Sequence, residues 1–239
     1  MILSGTAGTG KSLVIHALTK LLGTKCKLLA PTGNAAFNIG GDTATSQLWL
    51  PVCGKRYGDI GSKHLKTRIQ PLWPKSIKYV IIDEMSMVGQ VKFYFIDRRL
   101  RQITGKQTEL FGGLSIILVG DFAQFPPVCD TALWKQPSTT DSERKKKGYE
   151  WYKMFDTAVT LTKIFRQKGC KRFMEALARG RNCDWTESDW KLLQTRWPQQ
   201  FSTTEIKKYD DLVRIFARNK SCNNYTWSTN SKDCCTAQL

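Results

Sequence analysis

The chain has 239 residues, 41% hydrophobic and 11% aromatic, which suits one large or two modest packed domains and excludes disorder. No run approaches the ~20 apolar residues of a membrane span, and residues 1–4 are too short for a secretory signal. The formal net charge is +17, divided as +3 over residues 1–50, +5 over 51–134 and +9 over 135–239. It therefore belongs to no single tail and points to a polyanion, of which nucleic acid is the usual one, with a merely soluble basic surface as the alternative.

Met1-Ile2-Leu3-Ser4 leads straight into Gly5-Thr6-Ala7-Gly8-Thr9-Gly10-Lys11-Ser12, of the form G-x-x-x-x-G-K-[ST]. Glycines let backbone wrap close to phosphate oxygens, and their amides form an anion nest at a helix N-terminus. Lys11 is expected to reach the outer phosphates of a nucleoside triphosphate and Ser12 to ligate magnesium. A Gly-rich turn before an ordinary helix is the plainer reading. Ser12 to Leu22 reads as a helix with Leu13, Ile15, Leu18 and Leu21/Leu22 near one face, ended by Gly23. Cys26 to Ala30 is a strand candidate, followed by Pro31-Thr32-Gly33 and a short helix over Asn34 to Ile39.

Residues 50–78 carry Lys55, Arg56, Lys63, Lys66, Arg68, Lys75 and Lys78 against Asp59, with Tyr57 and Trp73 interleaved. That pattern suits a single-stranded nucleic acid surface, or equally a solvated loop whose aromatics cover the core. Tyr79 to Ile82 reads as a buried strand closing on Asp83-Glu84. The Asp can hold magnesium and the Glu activate water, although such a pair can simply cap a helix. A helix from about Gln90 to Ile103 is expected to turn Arg98, Arg99 and Arg101 outward. A strand over Ser115 to Val119 ends at Gly120-Asp121, and Gln124 follows as a sensor of terminal phosphate or an ordinary loop residue.

Residues 135–150 read as a linker or surface excursion, and the run Arg144 to Lys147 as a weak nuclear signal or a solvated patch. Thr157 to Leu161 is a strand candidate that begins a second α/β unit, with helices over Lys168 to Arg179 and Glu187 to Leu193, a strand over Leu212 to Ala217, and a polar tail from Ser228. Arg166, in Phe165-Arg166-Gln167, suits an arginine finger or a plain surface charge. The eight cysteines form no C-x-x-C pair, which argues against zinc and for reduced thiols in an intracellular protein.

Alternating β and α segments predict a parallel sheet with helices on both faces and ligands at the carboxyl ends of its strands. At this point the stretches at 5–12, 30–46, 80–88, 111–128 (FGGLSIILVGDFAQFPPV) and 161–169 match one family in order and spacing. The chain resembles the Pif-type (petite integration frequency) helicases of superfamily 1, which move 5′ to 3′ on single-stranded DNA. The resemblance implies a P-loop NTPase of α/β class. Its RecA-like first motor domain (1–134) carries a small basic insertion (50–78), and a linker (135–150) leads to a partial second RecA-like domain (151–239).

The resemblance also implies ATP and Mg²⁺ as cofactors. It supports Gly5 to Ser12 for the nucleotide, Ser12 and Asp83 for the metal, and Glu84, Lys11, Gln124 and Arg166 for the chemistry. Pro31, Thr32, Gly33, Thr43, Thr45 and Ser46 are placed at the DNA, and the insertion with Lys63, Lys66 and Arg68 at the strand-separating wedge. Three departures stand out. Thr45 replaces a usual histidine, no upstream adenine-recognition element precedes residue 1, and the late helicase motifs are missing. The expectation is a helicase truncated at both ends, acting as a monomer on single strands and duplex junctions, away from membranes. Repair, recombination and telomere maintenance, in the nucleus or the mitochondrion, are the implied settings. The alternative is a non-catalytic DNA-binding remnant, possibly of a mobile element.

Overall fold

The computed structural model describes residues 1–50, 61–165 and 171–208, together with 214–216, 220–221, 223–224 and 234–236; the side chains of Ser62, Lys66, Pro198, 214–216 and 234–236 are not included. The chain divides into two compact units, Met1–Lys168 and Gly169–Leu239.

The first unit is built on six parallel strands: β1 (Ile2–Gly5), β2 (Cys26–Ala30), β3 (Asp42–Thr43), β4 (Tyr79–Ile82), β5 (Ser115–Gly120) and β6 (Ala158–Leu161). Their order across the sheet is β3-β2-β4-β5-β1-β6. Helices α1 (Lys11–Leu22), α2 (Gly33–Ile39) and α3 (Ala44–Gln47) follow the first three strands. A short α4 (Ser62–His64) runs into a π-turn over Leu65–Ile69, and α5 (Gln90–Thr104) joins β4 to β5.

A parallel sheet covered on both faces needs strands that are apolar throughout, and Val80-Ile81-Ile82 and Ile116-Ile117-Leu118-Val119 supply this. Successive residues then go to opposite faces. Val80, Ile82, Ile116 and Leu118 join a core with Phe93, Ile96 and Leu100 of α5, whereas Ile81, Ile117 and Val119 join one with Ile15 of α1 and Ala35, Ala36 and Ile39 of α2. In α1 only Ile15 is buried, and Leu13 and Leu21 stand 73% and 81% exposed, so the expected apolar face is narrower than the sequence suggested.

Helix α5 buries Phe93, Ile96, Leu100 and Ile103, the spacing of one helical face. Gly89 offers it no side-chain cap. Asp130 caps instead from across the chain, its carboxylate accepting from the amides of Val91 at 3.2 Å and Lys92 at 3.0 Å. Of the three arginines expected to face outward, Arg99 is buried: its Nε donates to the Leu48 carbonyl at 2.9 Å. The Phe111-Gly112-Gly113 turn folds onto the same helix. The Phe111 amide donates to the buried Asp97 carboxylate at 2.5 Å, and a Cβ on Gly112 would lie 2.7 Å from the Leu100 carbonyl oxygen.

The second half of the expected linker at 135–150 is instead helical. Helix α6 (Glu143–Lys153) packs on α5, with Gly148 buried against the Gln90 carbonyl and Trp151 stacked on Tyr94 at 5.3 Å. The strand expected to open a second unit also belongs to the first. β6 pairs with β1 in parallel, Ile2 opposite Ala158 and Gly5 opposite Leu161, completing hydrogen bonds that β1 would otherwise leave open. The expected first-domain boundary at 134 therefore lies inside one packed unit.

In the second unit, α7 (Lys171–Arg181), α8 (Glu187–Gln194) and α9 (Thr203–Lys207) are described, with a parallel pair β7 (Arg214–Phe216) and β8 (Cys234–Thr236). Thr186 and Asp189 form a capping box on α8, and Arg179 grips Asp189 with two hydrogen bonds of 2.8 and 2.6 Å. That pairing holds the Asp189 carboxyl well below the usual carboxylate range. The remainder of the strand expected over Leu212 to Ala217, and the polar tail apart from Cys234–Thr236, lie outside the described residues.

Candidate nucleotide site and nucleic-acid edge

β1 delivers the chain into Gly5–Ser12 at the carboxyl edge of the sheet. Gly8 and Gly10 adopt φ of 79° and 93°, turning the loop back into α1, with Gly10 at the N-cap. Gly5 is dictated by space, because a Cβ there would lie 3.1 Å from both the Leu161 carbonyl oxygen and its Cβ. The buried Thr9 closes the loop, its hydroxyl donating to the Thr6 carbonyl at 2.8 Å. Lys11 Nζ donates to the carbonyls of Gly5 at 2.8 Å and Thr6 at 3.1 Å, so its charge lies over the loop. Ser12 is exposed in the first turn of α1 and Ala7 at the tip of the loop.

Two strands away, β4 ends in Asp83-Glu84. The Asp83 amide still donates to Leu29 of β2 at 2.9 Å. Glu84 then turns sharply at φ 49°, ψ 49°. Gly120, at φ 153°, lets β5 pass close by, since a Cβ there would sit 2.8 Å from the Met85 amide nitrogen. That approach brings Asp121, 3% exposed, into electrostatic range of Glu84. Asp121 accepts from the Ala123 amide at 3.1 Å, and its carbonyl accepts from the Gln124 amide at 3.0 Å, which makes a tight turn and leaves Gln124 half-buried beside it.

Burial pushes the Asp83 carboxyl above its ordinary range, against the pull of the Glu84 amide and the Lys11 charge. Glu84 is likewise raised, by burial first and then by the Asp83 charge, with Lys11 opposing and Asp121 adding. One ammonium and three carboxylates thus share one electrostatic neighbourhood. Among the described residues no group of three or more His, Cys, Asp and Glu could hold a metal unaided. A hydroxyl at Ser12 and a carboxylate at Asp83 fit the other mode, in which phosphate oxygens and water complete a magnesium shell. The concave loop with its cation fits the phosphates.

Arg166 lies outside the described residues. Its neighbour Phe165, half-exposed, donates its amide to the Gly8 carbonyl at 2.8 Å and so is tied to the phosphate loop. Sequence reasoning missed Phe165, and placed Asp121 at the ligand-bearing strand ends without giving it a role. An acid directly after a buried strand, as at Asp83, was the available signal for Asp121.

The DNA candidates line the same edge, at the ends of β2 and β3. Pro31, Thr32 and Gly33 join β2 to α2, and the Thr32 hydroxyl accepts from the Ala35 amide. Thr43 caps α3, accepting from the Ser46 amide at 3.2 Å, and Ser46 donates back to the Thr43 carbonyl at 2.9 Å. Thr45 is half-buried between them. With strands ~4.8 Å apart, β3 lies roughly 19 Å from β1, far enough for two separate ligands.

In the insertion, Lys63 is exposed, the Arg68 guanidinium lies 5.6 Å from the Trp49 ring centre, and the Lys66 side chain lies outside the described residues. Tyr57, Lys55, Arg56 and Asp59 also lie outside them. Trp73 serves the core: it is 6% exposed, and its indole N–H donates to the Gln47 carbonyl at 3.1 Å.

Among known proteins, a family described as PIF1-like helicase matches residues 1–183. The chain is 33% identical over 208 residues to "ATP-dependent DNA helicase PIF1" of Saccharomyces cerevisiae, covering 82% of this chain and 23% of that protein. It is 31% identical over 177 residues to "ATP-dependent DNA helicase RRM3" of the same species, covering 70% of this chain and 23% of that protein. A Pif1 helicase from Bacteroides, solved in complex with ADP-AlF3 and ssDNA, is similar over 97% of this chain and 53% of that one, with a TM-score of 0.67 and 25% identity. The chain thus spans about a quarter of the length of these curated relatives.

Proposed function

The chain belongs to the PIF1-like helicase family, and on that premise we propose that it is the ATP-binding motor part of a 5′→3′ DNA helicase. The observation that carries this is the meeting of the Lys11 loop, Asp83-Glu84 and Asp121 on one strand-end edge, beside the Pro31–Gly33 and Thr43–Ser46 segments.

The loop amides and Lys11 would hold the triphosphate of ATP, and Ser12 and Asp83 its Mg²⁺, which when bound offsets phosphate charge. Glu84, at the turn after β4, orients and polarises the attacking water. Gln124 reads the terminal phosphate from the β5 turn. Arg166, next in the chain to a residue bonded to the phosphate loop, stabilises the charge that develops there. Lys63, Lys66 and Arg68 contact phosphates of the strand. The substrate is single-stranded DNA at duplex junctions, engaged by a monomer. Repair, recombination and telomere maintenance in the nucleus or the mitochondrion follow as its settings.

The test is ATP turnover by the 239-residue chain with and without single-stranded DNA. Turnover stimulated by DNA, and reduced at least ~100-fold in Lys11→Ala, is expected. DNA binding without stimulated turnover would leave a DNA-binding remnant instead. Unchanged turnover in Lys11→Ala would remove the assigned site.

A further inference from the structure

Helix α3 ends on an unusual residue. The Leu48 amide donates to the Ala44 carbonyl at 3.1 Å and the Leu50 amide to the Thr45 carbonyl at 3.0 Å. This six-to-one closure needs a left-handed residue between them, normally glycine. Here it is Trp49, at φ 47°. A bulky side chain takes that backbone only under strain.

The surroundings enforce it. Leu48 and Leu50 are buried on either side, and buried Arg99 donates to the Leu48 carbonyl at 2.9 Å and the Trp49 carbonyl at 3.5 Å. The ring is only partly covered, for Trp49 remains 40% exposed. Among the described residues its ring neighbours are His64, 6.0 Å away and tilted by 47°, and the Arg68 guanidinium at 5.6 Å. Exposed Lys63 stands next to His64 in α4. A large, partly exposed ring thus stands three residues past Ser46 beside a guanidinium, and strain of this kind collects at ligand sites.

We propose that Trp49 is a base-stacking platform for single-stranded nucleic acid, with Arg68 and Lys63 on the adjoining phosphates. Aromatic faces accept any base, so the platform gives affinity without sequence preference. The inference rests on the DNA-binding reading above and adds a residue that the sequence motifs did not mark.

Binding of the 239-residue chain to an oligo(dT) strand and to a base-free deoxyribose-phosphate strand of equal length tests it. Trp49→Leu should bind oligo(dT) about tenfold more weakly than the parent and bind the base-free strand equally well. Trp49→Phe, on the same strained backbone, should keep most of the oligo(dT) affinity. Trp49→Gly should lose affinity as the Leu variant does while its Tm stays level or rises. The proposal is overturned if Trp49→Leu binds oligo(dT) like the parent, or weakens equally on both strands. It is equally overturned if Trp49→Gly melts several degrees lower with oligo(dT) binding unchanged, since the ring would then be structural. A parent chain that binds neither strand sinks the DNA-binding reading as well.

Discussion

At the scale of single residues, Asp83 shows burial working against charge. Its carboxyl titrates above the ordinary range, chiefly because burial disfavours the anion. The native state then holds its proton to a higher pH than the unfolded chain does. Stability therefore falls as pH rises from the ordinary carboxylate pKa of about 4 through the raised native one. Asp83→Asn should melt higher than the parent at pH 7, by about a few degrees, and the gap should close as the pH is lowered toward 4. Melting curves across that range check it, and a parent as stable as the variant at pH 7 would refute it. Such a carboxylate gains from a cation more than a solvated one would, which is the use proposed for it. The phosphate loop itself was legible because its chemistry is local: glycine conformations and a lysine six residues past the first of them. The strain at Trp49 was not legible, because a tryptophan in sequence carries no sign of its φ.

Among elements, the pair α5–α6 shows why glycines matter beyond turns. Gly148 lies inside a helix, where glycine normally costs ~1 kcal/mol relative to alanine. Here a Cβ would run into the Gln90 carbonyl. Gly148→Ala should therefore destabilise the first unit by about 1–3 kcal/mol, seen as a lower urea midpoint. Gly33→Ala, at a helix start with nothing within 4 Å of the new Cβ, should be neutral or mildly stabilising. Equal effects would dismiss the close approach of the two helices. The same logic gives the FGG segment a structural meaning. It marked the family in the sequence, and in the fold it seats Phe111 against Phe93 at 5.2 Å and ties its amide to Asp97, on α5. The helix over Glu143–Lys153 was misread as a linker because its charged run hides the packing side. Only Gly148 is buried there, with Lys145 to Lys147, Tyr149, Trp151 and Tyr152 partly so.

For the whole molecule, the charge of +17 sets the expectation for salt. Binding of single-stranded DNA should weaken linearly in a log–log plot against salt. Neutralising Lys63, Lys66 and Arg68 together should flatten the slope by about 2, at ~0.7 for each DNA phosphate left without its cation. An unchanged slope would place those charges away from the strand. The six-strand order also separates two tasks along one edge, with the nucleotide candidates on β1, β4 and β5 and the DNA candidates on β2 and β3.

The sequence by itself determined the parallel α/β class, the strands β2, β4 and β5, the phosphate loop and the acidic pair, because each is written in a few adjacent residues with a period or a spacing. Tertiary structure alone decided that β6 closes on β1, that Arg99 and Trp73 turn inward, that Asp121 meets Glu84, and that Trp49 takes a left-handed backbone. Those outcomes depend on which distant backbone fills the space beside each residue, and no local pattern encodes that.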